Sequence, residues 1–486
     1  MIVKVFAGLM GNLSPEDIHN QILNFETQHN LLRFKSGAWC IWPLFRFRLS
    51  LAFYQLPLAN RKGPTLFEYL NFLLRDVLTL LKCPKSNFVG VSFSSARADQ
   101  VDGKAKDIFF DDIAGKLGTF FKIEKPNNPK FFFPKERMVF PSQFSGVLFR
   151  LISMFFSLWP FHRETRAIAE ALNRHVREDL GVEFLSTAKI YRRICMFDVQ
   201  RTLYAWLFRR LKAKVLLSAD GYGDFDFFAA AKQAGMTTID LQHGFVDRFH
   251  CGYSWGEGAR AMHAHMPIAD WIFSFGEIWR EDFEASGFWR DKVKVIGNVW
   301  LDQYRKKRWP SDLLDVKQGS QELRVVVTTQ GIDTPGLIQF FRETLQAVGQ
   351  QRKVRLTFKL HPILETDTSA YENLKKEFEN IEVLLGSSFP STPHLIAQAD
   401  LHCTISSTCH FDALALGTPT VILPLNSFEI VLKLAQEGFA TVVKTPTDLA
   451  QILMSPKMPL PSPEKINRMY QSGALENMVE ALRPFI

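Results

Sequence analysis

The stretch ADLHCTISSTCHFDALALGTPTVILPL, residues 399–425, changes its pattern three times in quick succession. Ala399–Ile405 is a short apolar run of the kind a strand buried on both faces needs. Ser406, Ser407 and Thr408 interrupt it with small hydroxyl residues, and Cys409–Leu416 continues at helical length. Gly417 and Pro419 stop that helix before a second β-branched run, Thr420–Leu423. Strand, turn, helix and strand in this order form a crossover unit, and crossover units build parallel sheets.

The same alternation extends outward. Upstream runs at Leu323–Thr329, Val354–Leu360 and Ile381–Leu385 are separated by helical stretches near Pro335–Gln350 and Ser369–Glu379, and another helix follows at Phe428–Glu437. Before a polar, basic segment, Arg305–Glu322, lies an earlier series at Val215–Ser218, Thr237–Leu241, Ala269–Phe275 and Val293–Ile296. Two blocks predict two α/β domains, each a parallel sheet with helices on both faces. The expected bounds are 1–310 and 311–486, with 305–322 as linker. Within the first, 1–212 is a largely helical extension with one strand candidate, Phe88–Phe93, and 213–304 is the α/β part. Lys122–Pro141, rich in Lys, Pro and Phe, predicts a loop. A long helical run from Phe161 to Lys212 breaks near Gly181, and a last helix, Pro463–Leu482, is expected on the surface.

Composition narrows the function classes. The 486 residues are 47% hydrophobic and 22% charged, enough apolar material for sizeable cores. Six scattered cysteines without a CxxC pair argue against a disulfide framework or zinc site and for a reducing, cytoplasmic location. Met1–Leu9 carries Lys4, but no apolar run of signal-peptide length follows. No run reaches the length of a membrane span. Gly146–Phe161 and Trp39–Leu58 come nearest, each interrupted by arginine, and read either as interfacial segments or as ordinary core helices. Residues 1–310 hold 43 basic against 31 acidic residues, and 311–486 hold 15 against 19. The basic excess suits an anionic inner-membrane surface or an anionic acceptor, and no nucleic-acid-binding motif accompanies it.

Three constellations carry chemistry. In SADGYGDFDFFAAAKQAGMTTIDLQHGFVDRFHCGY, residues 218–253, Asp220-Gly221 and His243-Gly244 both fall at strand C-termini, where open α/β sheets bind ligands. A carboxylate and an imidazole there suit a general base acting on a hydroxyl. Alternatively Asp220 caps the next helix and His243 is a turn histidine. Lys359-Leu360-His361-Pro362 places His361 at another strand end, able to donate to a phosphate. Ser406, Ser407 and Thr408, opening a helix, suit an anion site for nucleotide phosphates; alternatively they only cap the helix, with Asp412 matching its dipole. Asp412, in that helix, is placed to accept from a ribose or sugar hydroxyl. Asp224-Phe225-Asp226 has the spacing of a metal-binding DxD but falls where a helix begins, so no metal is expected.

KLHP followed by residues 399–425 resembles the nucleotide-binding half of GT-B glycosyltransferases, forms of which occur in bacterial sialyltransferases, Kdo transferases and CDP-glycerol glycerophosphotransferases. IDLQHGFVDRFHCGYSW (239–255), FSFGEIWREDF (273–283) and VKVIGNVWLDQY (293–304) are similar to capsule and surface-polysaccharide biosynthesis proteins. So are SGAWCIWPLFRFRLS (36–50) and FSSARADQVDGKAKDIFFDDI (93–113). The resemblance implies a GT-B-like fold, its two Rossmann-like domains facing a cleft. It also implies a metal-independent, cofactor-free transferase, peripheral at the inner membrane, that moves a sugar from a nucleotide-sugar donor to a surface polysaccharide or lipid-linked glycan. By position, His361, Ser406, Ser407 and Thr408 would hold the donor phosphates and Asp412 its sugar or ribose. His243 matches the histidine of the glycerophosphotransferases' HG motif. Asp220-Gly221 matches only part of the sialyltransferases' acidic motif, since Ala219 replaces its first acid, so the base stays open between His243 and Asp220. The alternatives are CDP-polyol phosphotransfer, nucleotide-sugar epimerisation and a non-catalytic polysaccharide-assembly scaffold.

Overall fold

The computed structural model describes residues 14–53, 64–99, 104–128, 132, 136, 138–158, 163–182, 184–306, 322–362, 364–365, 367–386, 388, 390–455 and 460–485. The chain divides into two compact units, 11–297 with 473–486, and 298–472. The division falls at Gly297, ahead of the polar 305–322 segment, of which 307–321 lie outside the described residues. The closing stretch is two helices, Pro463–Met469 and Ala474–Leu482, parted by Gly473 at φ 75°. The second belongs with the first unit, where Asn477 Nδ2 donates to the Ile296 carbonyl at 3.0 Å.

The first unit is built on six strands, β1 Phe88–Phe93, β2 Phe120–Lys125, β3 Val215–Ser218, β4 Thr237–Leu241, β5 Trp271–Ser274 and β6 Val293–Val295. They pair in the order β2-β1-β3-β4-β5-β6, every pair parallel. The order reverses between β1 and β3, which puts a topological switch point there. The second unit carries β7 Leu323–Thr328, β8 Val354–Lys359, β9 Ile381–Leu384, β10 Leu401–Thr404, β11 Thr420–Ile422 and β12 Thr441–Val442. Their order is β9-β8-β7-β10-β11-β12, again all parallel, with the switch point between β7 and β10. Both sheets are doubly wound, as the alternating sequence blocks predict. Val89, Phe121, Leu216 and Phe228 centre one core, and Val325, Phe341, Phe358 and Leu401 the other.

One sequence expectation needs correction, and one choice that the sequence left open is decided. Lys122–Pro141 does not begin as a loop, because FFKIEK at 120–125 is an edge strand. Its apolar character is disguised because the strand is buried on both faces and two of the buried positions, Lys122 and Glu124, are charged. Lys122 Nζ reaches Asp107 and Asp111, each at 2.8 Å, and the Arg97 guanidinium grips Glu124 at 2.6 Å, all buried. Charges are tolerated inside only when paired in this way. The helical region thus supplies β1 and β2 to the sheet. Trp39–Phe53 is a core segment and not an interfacial one. Trp42, Phe45 and Leu49 are buried, and Arg46 is buried with them. The Arg46 guanidinium donates to Glu26 and to the Cys251 carbonyl and lies 4.3 Å over the Trp255 ring. Residues 54–58 of that expectation lie outside the described residues.

Candidate functional sites at the two switch points

In the second unit, the loops after β7 and β10 are stitched together at the switch point. Gln330 Oε1 accepts from the Ser406 backbone N–H at 3.0 Å and from its hydroxyl at 3.4 Å. Ser406, expected at the donor phosphates, is fully buried, so its hydroxyl works on the loop and not at the surface. Ser407 and Thr408 remain half-buried. Ser407 Oγ accepts from the Cys409 N–H at 3.2 Å, while Thr408 at the N-cap makes no side-chain cap bond. The helix after β7, Thr334–Val348, differs: Asp333 caps it, accepting from the Gly336 N–H at 3.1 Å. A carboxylate already caps that positive helix end, whereas Cys409–Leu416 has hydroxyl residues at its start and its one first-turn acid, Asp412, a turn further in.

His361 follows β8, one strand beyond β7, so it stands on the same carboxyl edge of the sheet as Ser407 and Thr408. Two strand spacings separate them along the edge, about 10 Å. His361 Nδ1 accepts from the Leu364 N–H at 3.0 Å, so the neutral ring carries its proton on Nε2. Its neighbours hold it in place. Lys359 Nζ donates to the carbonyls of Leu385 and Ser388 at 2.8 and 2.7 Å, pinning the loop after β9. Gly386 in that loop passes so close that a Cβ there would meet the Leu360 carbonyl oxygen at 2.3 Å and the Pro362 nitrogen at 2.4 Å.

Glu365, which sequence reasoning missed, ties the β8 loop to the β7 loop. Its buried carboxylate accepts from Thr329 Oγ1, Thr334 Oγ1 (2.6 Å), Tyr371 Oη (2.7 Å) and the Gly331 N–H (3.0 Å). Asp412 sits one turn into its helix, half-buried, and burial pushes its carboxyl up to about 7. Its charge is felt by Tyr470, which follows the helix Pro463–Met469.

In the first unit, β3 runs into Asp220-Gly221-Tyr222-Gly223-Asp224 at the switch point. Lys125, closing β2, reaches across to Asp224 at 2.5 Å and Asp220 at 3.5 Å. Ser218 Oγ donates to Asp224 at 2.7 Å, and burial raises that carboxyl to about 6. His243, after β4, pairs through Nε2 with Tyr222 Oη at 3.0 Å. Asp220 and His243 thus have different partners, Lys125 and Tyr222, although the Asp220 charge is near enough to offset part of the fall in His243 pKa that burial causes. Asp240 lies beneath this turn, fully buried, and burial holds its carboxyl well above the usual carboxylate range. A Cβ on Gly221 would stand 1.9 Å from its Oδ2, and one on Gly223 2.2 Å from Asp220 Oδ2. The GYG turn is therefore a packing device over two carboxyl groups. Lys125 and Asp240 were invisible in the sequence for a common reason: each lies on a strand whose residues gave no hint of what they face.

One further His/Asp group lies among the described residues of the first unit. Ligand atoms of His29, His175 and Asp179 lie within 4.8 Å of one another. The two imidazoles stack, 4.0 Å between centroids, and His29 Nε2 bonds Asp179. This arrangement fastens the end of helix Pro15–Gln28 to the π-helical turn Val176–Leu180.

No protein-family model and no curated protein matches this sequence. Solved structures do. The UDP-GlcNAc 2-epimerase of Methanocaldococcus jannaschii aligns at TM-score 0.51 and 13% identity, over 82% of this chain and 99% of that one. The UDP-GlcNAc 2-epimerase of Neisseria meningitidis bound to UDP-GlcNAc aligns at 0.49 and 12%, covering 82% and 99%. The wall teichoic acid polymerase TagF aligns at 0.42 and 12%, covering 86% and 93%. At such identities the likeness is one of fold, and it agrees with the strand orders: the chain is an α/β protein of GT-B type, made of two Rossmann-like parallel-sheet domains.

Proposed function

We propose that the protein is a metal-independent glycosyltransferase that draws a sugar from a nucleotide-linked donor and passes it to a hydroxyl of a surface-polysaccharide or lipid-linked glycan. The observation that carries this reading is the carboxyl edge of the second unit. There an N-terminal helix end without a carboxylate cap, Ser407 and Thr408, shares one edge with the Nε2–H of His361. The hydroxyls and the imidazole N–H can each donate to an anion, and in this reading they hold the phosphates while Ser406 locks the turn. Asp412, its carboxyl pushed up to about 7 by burial, is about half protonated near neutrality and in this reading accepts from or donates to a ribose or sugar hydroxyl.

The first unit supplies the base. His243, its pKa lowered by burial, is neutral at working pH and takes the acceptor's proton, while Asp220, held by Lys125, orients it or replaces it. Positive groups and helix ends take the place of a divalent ion at the leaving phosphate.

Thermal-shift measurements on the full chain against CMP, CDP, UDP and GDP, free and sugar-linked, test the reading. A true ligand at a hundred times its Kd stabilises by about 2.7 kcal/mol. Incubating the stabilising donor without acceptor then separates transfer from epimerisation, because an epimerase changes the donor's sugar unaided. No stabilisation by any of them would remove the nucleotide-dependent reading.

A further inference from the structure

The helix Leu66–Lys82, LFEYLNFLLRDVLTLLK, has the spacing of a helix that packs its apolar stripe inward. The structure does the reverse. Only Phe72 and Asp76 are buried, whereas Leu66, Phe67 and Leu81 are 77%, 74% and 74% exposed, and Leu70, Leu74 and Leu78 are exposed on the same side. The helix is well made, with a capping box between Thr65 and Glu68, so its outward face is not the result of a frayed element. Next to it packs Val147–Phe156, joined where Asp76 accepts from the Leu148 N–H at 3.1 Å. That helix buries Val147, Phe149 and Ser153 and exposes Leu151, Phe155 and Phe156. Large apolar patches of this kind on a soluble surface mark an interaction site.

Charge selects the occupant. The patch faces no free acid from its own helices: Glu68 is spent on the Thr65 cap, Asp76 is buried against Ser145, and Val147–Phe156 contains none. One end of it is rimmed by exposed cations. Lys82 and Lys85 lie beside the end of helix Thr187–Leu211, since the Ser86 N–H donates to the Leu211 carbonyl at 2.9 Å. There Arg209, Arg210, Lys212 and Lys214 are exposed, and the Arg210 guanidinium lies 5.3 Å over the exposed Trp206 ring. Apolar side chains backed by Lys/Arg and a surface Trp are the make-up of a helix lying in a lipid headgroup layer. A helix of this length is about 25 Å and does not span, and no described helix is long and apolar enough to cross a membrane.

We infer that Leu66–Lys82 and Val147–Phe156 form a docking face for an anionic lipid bilayer, inserted by their leucines and phenylalanines and held by the basic rim. This deepens the proposed function by giving a lipid-linked acceptor a surface to be met on, but its test uses no nucleotide, so either can fail without the other. The full chain is floated with vesicles of phosphatidylcholine alone or mixed with phosphatidylglycerol, at low and high salt. The expected result is binding to the anionic vesicles at low salt, weakened by salt. Leu70→Glu/Leu74→Glu/Leu78→Glu should abolish it, and Lys82→Glu/Lys85→Glu should weaken it roughly tenfold or more, both with an unchanged Tm because the positions are exposed. Absence of binding to either vesicle, or binding that survives the leucine triple change, overturns the inference. So does a concentration-dependent dimer that the triple change dissolves while vesicle binding is missing, since the face would then belong to a second copy.

Discussion

His243 and Asp220 stand at neighbouring strand ends yet are committed to separate partners, Tyr222 and Lys125, and this divides their roles experimentally. His243→Ala should lower turnover by about 10²–10⁴-fold while leaving nucleotide affinity within about twofold, the signature of a lost general base. Because burial lowers the His243 pKa, the base form persists below the usual histidine range, so the acid limb of turnover should lie below 6.5. A limb at or above that value, read from kcat against pH, contradicts the assignment. Asp412 gives a stability test with a definite sign. Its folded pKa of about 7 exceeds the 3.8 of a free aspartate, so the folded state binds more protons between these values and stability falls as pH rises through the window. Asp412→Asn should therefore gain on the parent in Tm from pH 4 to 7 and keep the lead above it, one kcal/mol moving a domain of this size about 2–4 °C. A lead that is constant with pH would mean that the carboxyl is solvated.

Loops after parallel strands are the elements that make the second site, and two buried devices shape them. Gly386→Ala places a methyl against backbone atoms of Leu360 and Pro362, which cannot swing aside as a side chain can. The change should cost about 1–3 kcal/mol and displace His361, so nucleotide affinity should fall along with the denaturation midpoint. Glu365→Ala strips an acceptor from four donors around Gly331 and should destabilise by a comparable amount or more. The hydroxyl turn, the HP pair and the HG pair were legible in the sequence because strand ends announce themselves by a change of pattern. Glu365 and Gln330 were not, since their meaning is a partner in another loop. The helix Leu66–Lys82 shows the limit more sharply: amphipathic spacing predicts a stripe and says nothing of which side faces water.

At the scale of the whole molecule, alternating strand and helix blocks sufficed for two doubly wound sheets, and both strand orders follow that plan. The two strands that the helical region contributes were harder to read. β1 is apolar and was visible, while β2 hides behind Lys122 and Glu124, charges that satisfy one another inside. In the proposed function the carboxyl edge of the second unit grips a nucleotide's phosphates. Isothermal titration of the nucleotide that stabilises best from the CMP, CDP, UDP and GDP panel, into the parent chain and its His361→Ala, Thr408→Ala and His243→Ala variants, tests it most directly. Saturable binding at one site is expected, weakened about tenfold or more by each of the first two changes, the size of a lost charge-assisted hydrogen bond, and left within twofold by the third. Binding indifferent to His361 and Thr408, or lost with His243 alone, would contradict it.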